Sequence, residues 1–478
     1  MLGRGEEIGA VDDPSAYVSV AERSARGRAA RVGVPRGSQS AFEPAPDRDP
    51  IGLLEAQDVS RLPELVPIRY GRMLASPLAF FRGSAAIMAH DLASTPQAGF
   101  SVQLCGDAHL SNFGGYASPD RTLVFDLNDF DETAPGPFEW DVKRLATSFE
   151  ICARERGLTD TERRALVLGV MRFYREAMSE FARMGDLAVW YSRLDASVIE
   201  ARLRADNDRN QAKSVQRIAA KAQTKDNLKA LAKLTHVVDG RVRIVSDPPL
   251  IVPIEELAAD GKDAAEIEGA IRELFRSYRR SLQQDRRKLL EGYRVVDVAR
   301  KVVGVGSVGR RTWIVLLLGR DDSDPLFLQI KEAEASVLEP HLGKSEFENH
   351  GQRVVEGQRM MQAASDLFLG WLREPEGVNG EVRDFYVRQL WDWKTSVNVD
   401  TILPKGLGSY AEACGWTLGR AHARSGDRIA IAAYLGKGDV FDRAVAELAE
   451  AYADLNARDH AALMDAVRSD RIKAEVGV

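Results

Sequence analysis

The residues best suited to chemistry lie in Cys105-Gly-Asp-Ala-His-Leu-Ser-Asn-Phe-Gly114, where Asp107 and Asn112 stand five apart. Phosphoryl transfer to a hydroxyl needs a carboxylate that orients or accepts the hydroxyl proton. It also needs an amide oxygen that helps to hold a metal ion, and an Asp and an Asn on one loop supply both. A second acidic stretch, Phe125-Asp-Leu-Asn-Asp-Phe-Asp-Glu132, offers Asp126, Asp129, Asp131 and Glu132. A carboxylate at the end of a strand can hold Mg2+ between nucleotide phosphates, and Asp129-Phe130 has the form of a kinase metal loop. Each acid taken alone is as readily a turn residue or a helix cap. The combination Gly-Asp-x-His-x-x-Asn followed by Asp-x-x-Asp-Phe-Asp is what points to chemistry. His109 either contacts a phosphate or braces the loop. Asp141, in Trp140-Asp-Val-Lys-Arg144, is placed to hold the loop by backbone hydrogen bonds.

A second cluster begins at Gly304-Val-Gly-Ser-Val-Gly309, which fits GxGxxG. A dinucleotide fingerprint runs straight into a helix, but here Arg310-Arg-Thr-Trp-Ile-Val-Leu-Leu-Leu318 reads as a strand. A glycine loop between two strands covers phosphates with backbone amides in kinases. Gly304, Gly306, Ser307 and Gly309 are therefore candidate nucleotide contacts. Lys331, at the end of the third strand, is placed to pair with phosphates. Glu356, mid-helix among apolar neighbours, is the candidate acid that holds Lys331. Asp321, Asp322 and Asp324 read as a solvated turn. Arg69, Arg72 and Arg82 suit either an anionic substrate or structural ion pairs, the latter being the preferred reading.

These clusters need elements to position them. Residues 1–50, rich in Gly, Pro, Ser, Arg and Asp, read as a mobile or loosely attached arm. Residues 51–290 read as a helical catalytic lobe, with a β-hairpin formed by Ser101–Leu104 and Thr122–Leu127 and a helical stretch, 150–290, that contributes much of the acceptor pocket. Residues 291–395 read as a small nucleotide-binding lobe with strands at Val295–Val303, Thr312–Leu318, Leu326–Ile330, Leu367–Leu372 and Phe385–Leu390, and a helix over Ser345–Ala364. Residues 396–478 read as helices returning to the catalytic lobe. The expected fold is thus α+β, with a small antiparallel sheet lobe over a larger helical lobe. In ordinary kinases the glycine loop precedes the catalytic loop; here the order is reversed. A helix over Tyr410–His422 has no Asp-x-x-x-x-Asn after it, and that piece stands at 107 instead. A circular permutation accounts for both facts, because a site needs its groups in space and not in chain order.

The chain resembles the bacterial family called domain of unknown function 2252. The resemblance is carried by Ser76-Pro-Leu-Ala-Phe-Phe-Arg-Gly83, Gln103–Gly114, Phe125–Glu132, Gly136-Pro-Phe-Glu-Trp-Asp-Val-Lys-Arg144 and Arg420-Ala-His-Ala-Arg-Ser-Gly426. That family is similar in turn to the protein-kinase-like superfamily, and most of all to aminoglycoside and choline phosphotransferases. The resemblance implies a two-lobed kinase-like fold, Asp107 as catalytic base, Asn112 as metal ligand, and a metal carboxylate at Asp129 or, as second choice, Asp126. Cys105 stands where those enzymes carry His.

The expected activity is an ATP- and Mg2+-dependent phosphotransferase acting on a small-molecule or protein hydroxyl. A nucleotide-binding pseudokinase module and a metal-dependent phosphoesterase are the alternatives, and nucleotidyl transfer uses the same parts. A net charge of −6 gives no general reason to expect nucleic-acid or membrane binding. Three cysteines, Cys105, Cys152 and Cys414, match no zinc or disulfide pattern. With no apolar run of membrane-spanning length, a cytoplasmic location is expected.

Overall fold

The computed structural model describes residues 18–205, 209–224, 227–257, 264–302, 304–374, 382–390 and 392–477. The chain is a mixed α+β protein with small antiparallel sheets. The largest sheet has six strands in the spatial order Gly370–Glu374, Arg383–Gln389, Pro325–Ala333, Thr312–Leu318, Arg294–Lys301, Ile251–Pro253, every pairing antiparallel. Successive side chains on a strand point to opposite faces. Ile314, Leu316 and Leu318 accordingly enter one apolar cluster with Phe327 and Leu234, while Val315 and Leu317 enter another with Leu328 and Tyr278. Burial on both faces explains why Trp313–Leu318 is a continuous apolar run rather than an alternating one.

The helix His350–Met361 packs against this sheet and carries Val354 and Val355 into the main core. That core lies in a helical body built from Phe138–Glu155, Asp160–Phe181, Pro404–Ser425 and Val440–Arg468. Cys105, Cys152 and Cys414 are buried and unpaired. Among the described residues no helix is long and apolar enough to cross a membrane.

Two expectations are corrected. Ser101–Leu104 does not pair with the strand before the acidic segment; it pairs with Ala134–Pro137. The hairpin partner of Leu123–Leu127 is Phe113–Ala117, which begins directly after Asn112. Its sequence, Phe-Gly-Gly-Tyr-Ala, hides its strand character because glycine is depleted in strands. The glycine at 114 is needed there, since a Cβ would lie 2.3 Å from Thr395 O on the adjoining strand.

The second correction concerns residues 18–50, which are not a loose arm; residues 1–17 lie outside the described residues. Val20–Gly33 is a helix with a Ser19/Glu22 capping box. Arg31 and Arg36 donate to the carbonyls of Ala433, Tyr434 and Leu435, at the C-terminal end of the helix Arg428–Leu435. Carbonyls there have no partner within their own helix. Arg48 forks between the buried Asp91 and Asp459. Attachment combines these arginine hydrogen bonds with a few apolar contacts, Ala30 and Phe42 on the main core, too sparse for apolar periodicity to reveal.

Candidate functional site

One cavity of about 370 Å3 gathers residues from four distant stretches of chain. Asp107, His109 and Asn112 come from the loop after Ser101–Leu104, and Asp129, Asp131 and Glu132 from the segment after Leu123–Leu127. Gly304, Gly306, Ser307 and Lys331 come from the sheet side, and Gln57, Arg61 and Arg82 from the N-terminal helices. Among the described residues of 150–290, none lines this cavity; Asn227 lines a neighbouring one. A neighbouring cavity of about 340 Å3 shares Arg388, Leu390 and Lys394 with it.

The loop carrying Asp107 is held from below. The Asp141 carboxylate accepts from the backbone N–H of Cys105 at 2.8 Å and of Gly106 at 3.1 Å, as its place at the start of the helix suggests. Ser148 Oγ accepts from Leu110 N–H, and the Tyr410 hydroxyl donates to Leu110 O. Gly106 has φ +82°, and its missing Cβ would lie 2.1 Å from Glu132 O, so this turn needs glycine. Asn112 donates its Nδ2 to Asp107 O at 2.7 Å, which leaves its Oδ1 as the ligand-type oxygen. His109 Nδ1 accepts from Ser111 N–H, and its Nε2 lies 3.8 Å from Asp107 Oδ2. Burial, then the charges of Arg82 and Arg144, hold His109 well below the usual histidine pKa, so a neutral His109 braces the loop while lining the cavity.

Asp107 Oδ1 accepts from Arg144 Nε at 2.5 Å. Burial raises the Asp107 carboxyl to about 6, with Arg144 pulling it down and Asp129 and Glu132 adding to the rise. This is the range in which a carboxylate exchanges protons near neutral pH. Arg144 lies in a stretch that carries the family resemblance, but nothing in its local spacing indicates its partner.

Lys331 is buried and in ion-pair contact with Asp131 at 2.5 Å and Asp129 at 3.6 Å. Burial disfavours the ammonium, but Asp129 and Asp131 more than offset this and raise its pKa. Asp131 in turn accepts from Tyr386 Oη at 2.6 Å and Ser307 Oγ at 3.2 Å. Burial opposes its charge, yet Lys331 and Arg310 keep it well below the usual carboxylate range. Glu132 accepts from Arg310 at 3.0 Å. Arg388 donates to Asn128 O and Gln329; its charge, then burial, brings Lys394 down to about 7.

Three of the candidate site residues lie elsewhere. Glu356 does not hold Lys331: it pairs with Arg359 on its own helix at 2.9 Å and is half-buried. The inward-facing charge on that helix is Arg353, which donates to the carbonyls of Asp131, Thr133 and Glu334. Asp126 does not face the cavity. Its carboxylate is fully buried, bonded to Arg420 at 2.5 Å and to the N–H groups of Leu127 and Ala363. Gly309 closes the glycine turn at φ +89° behind the cavity wall, packed on Arg61, and its carbonyl accepts from Leu62 N–H.

Oxygen ligands are well represented. Asp129 Oδ1 is buried with no hydrogen-bond partner, and Asn112 lines the same cavity. Among the described residues no group of three or more His, Cys, Asp or Glu forms a metal cage. That donor set suits Mg2+, which takes one or two carboxylates and completes its shell with water and phosphate.

A family profile described as "Uncharacterized protein conserved in bacteria (DUF2252)" matches residues 61–466. No curated protein and no solved structure matches the chain.

Proposed function

The chain belongs to the DUF2252 family, and from the geometry of its own cleft we propose that it is an ATP- and Mg2+-dependent phosphotransferase with a circularly permuted, protein-kinase-like fold. The acceptor is a hydroxyl of a small molecule or protein. The observation that carries the reading is convergence: the glycine loop, Lys331, Asp129, Asn112 and Asp107 line one cavity. A lysine and a metal carboxylate that serve one triphosphate must lie within on the order of 10 Å, and Lys331 lies 3.6 Å from Asp129. The sheet adds support. The glycine loop joins two neighbouring strands, and the lysine strand lies between the second of these and Arg383–Gln389.

In this reading Asp107 takes the proton of the acceptor hydroxyl, its Oδ1 steadied by Arg144. Backbone amides at Gly304–Ser307 cover the phosphates. Lys331 exchanges Asp131 for phosphate oxygens. Asn112 Oδ1 and Asp129 would hold Mg2+, which would supply positive charge against the phosphates. The Asp131 carboxylate and the Tyr386 hydroxyl keep the lysine in the cleft until then.

Calorimetric titration of the full chain with ATP tests this. Wild type should bind Mg–ATP. Asn112→Ala and Asp129→Ala should each weaken binding about tenfold or more in Mg2+, the scale of a lost charged contact, and much less in EDTA. Absence of ATP binding would sink the proposal. Phosphate-ester hydrolysis that survives Gly306 or Lys331 substitution would favour a phosphoesterase instead.

A further inference from the structure

We propose that Arg82 binds the phosphoryl group in transit, so that the segment Ser76–Gly83 completes the reaction centre from the N-terminal side of the chain. This rests on the phosphotransferase reading and adds to it a residue outside the two motif clusters.

Three observations converge on Arg82. The first is its place. It sits in the last turn of the helix Pro77–Gly83, which Ser76 caps, and it lines the same cavity as Asp107 and Gly306. Its carbonyl is close enough to the glycine loop that a Cβ on Gly306 would lie 3.4 Å from it. Its charge acts on both Asp107 and His109. Arg82 therefore shares one cavity with the glycine loop and with Asp107, and its backbone adjoins the loop at Gly306.

The second is its lack of a partner. Three other cations of the cavity are committed: Lys331 to Asp131, Arg310 to Glu132, and Arg388 to Asn128 O and Gln329. Arg69, on the preceding helix, is tied to Asp58 at 2.9 Å, a structural pair. Among the described residues Arg82 donates no hydrogen bond and forms no ion pair, and its Nε is buried. A buried guanidinium nitrogen without an acceptor is costly, and partial burial lowers the Arg82 pKa.

The third is chemical. A planar guanidinium donates two parallel bonds to phosphoryl oxygens, and phosphotransfer sites use such a group against the charge on the equatorial oxygens. The acceptor oxygen forms its bond to the γ-phosphorus while Asp107 takes the hydroxyl proton. The bond from that phosphorus to the bridging oxygen breaks, and its electron pair leaves on ADP. Arg82 donates only to the non-bridging oxygens and gains or loses no proton. An anionic group on the acceptor would be the other source of phosphate or carboxylate oxygens. The glycine loop beside Arg82 favours the nucleotide.

The test compares Mg–AMP-PNP and Mg–ADP binding to the full chain and its Arg82→Gln variant. Wild type should prefer the triphosphate analogue. Arg82→Gln should lower affinity for Mg–AMP-PNP by about tenfold or more, leave Mg–ADP within about twofold, and keep the thermal midpoint of the ligand-free protein. Arg82→Lys should recover part of the loss. Equal losses for both nucleotides, or none, would overturn the assignment, and reduced acceptor phosphorylation with unchanged nucleotide binding would move Arg82 to the acceptor. If wild type binds neither nucleotide, the phosphotransferase reading fails and takes this inference with it.

Discussion

Asp126 and Asp131 lie on one short segment, and each neutralises a buried cation, but they do so on different sides of the cleft wall. Asp126 pairs with Arg420 inside the helical body, where both side chains are 1% exposed. Asp131 leaves the body and meets Lys331 on the sheet, along with Tyr386 and Ser307. The first pair is sealed within one wall. The second lies at the cavity, and in the proposed reading phosphate takes the place of Asp131. The helix behind the lysine strand explains the arrangement: it turns Arg353 inward, onto the carbonyls of Asp131 and Thr133, so the acid for Lys331 has to come from across the cleft. The segment 129–133 thereby ties sheet to body and also borders the cavity.

The largest effects should separate these two pairs. Asp126→Ala strands the buried Arg420, which costs about 3–5 kcal/mol of stability; Asp131→Ala leaves Lys331 only the longer ion-pair contact to Asp129 at 3.6 Å and should approach that cost. Chemical denaturation measures both losses. Excess Mg–ATP should restore a good part of the Asp131→Ala loss, because phosphate replaces the missing partner of Lys331 and ligand binding stabilises the folded state. It should restore less for Asp126→Ala, whose stranded Arg420 lies away from the cavity. Equal recovery in the two variants would erase the distinction between a sealed and an exchangeable pair.

Smaller in free energy is the effect of Asp107→Asn, which removes only the proton acceptor. Turnover should fall about 10²-fold or more, the usual scale for general-base loss, with Mg–ATP affinity kept. The pH profile gives an independent check. Asp107 works as a base only when ionised, and burial puts its carboxyl at about 6. Turnover should therefore fall as pH drops through about 6 and level off above it. Burial raises this pKa above the unfolded value of 3.8. Asp107 therefore favours the fold most at low pH, and that contribution is lost as pH rises through about 6. Low activity at pH 5 is then not a sign of unfolding. An unchanged turnover in Asp107→Asn would remove the body-side wall from the chemistry.

Much of this architecture is legible in the chain. The five strands at 295–390 stand out because β-branched and aliphatic residues crowd into short runs, and Asp107 with Asn112 because two polar types recur at a spacing that turns do not require. Contacts between distant cations and anions are less legible. Arg144, Arg353, Arg388 and Arg420 all read as solvent-facing, since arginine is rarely buried unless paired, and no local pattern names the partner. The strand Phe113–Ala117 is masked by its glycines. Asp129, Asp131 and Glu132 line one cavity, and no local pattern tells that Asp131 takes Lys331 while Glu132 takes Arg310.

Glu356 gives the smallest expected effect and the sharpest test of what the helix behind the lysine contributes. Its neighbours Val354 and Val355 enter the core, which makes an inward Glu356 a natural expectation. Helical geometry decides otherwise: residues three apart share a face, so Arg353 and Glu356 are neighbours, and Arg353 takes the buried position. Glu356 is left on the rim with Arg359 at 2.9 Å, both side chains about one-third exposed. An i,i+3 pair of this kind contributes about 0.2–0.5 kcal/mol. Glu356→Ala should therefore lower stability by no more than about that amount and leave Mg–ATP affinity within about twofold. Arg353→Ala should cost more, because buried carbonyls lose their donor. If Glu356→Ala instead weakens Mg–ATP as strongly as Asp129→Ala, then Lys331 changes partner on binding nucleotide, and the acid behind the lysine acts only in the bound state.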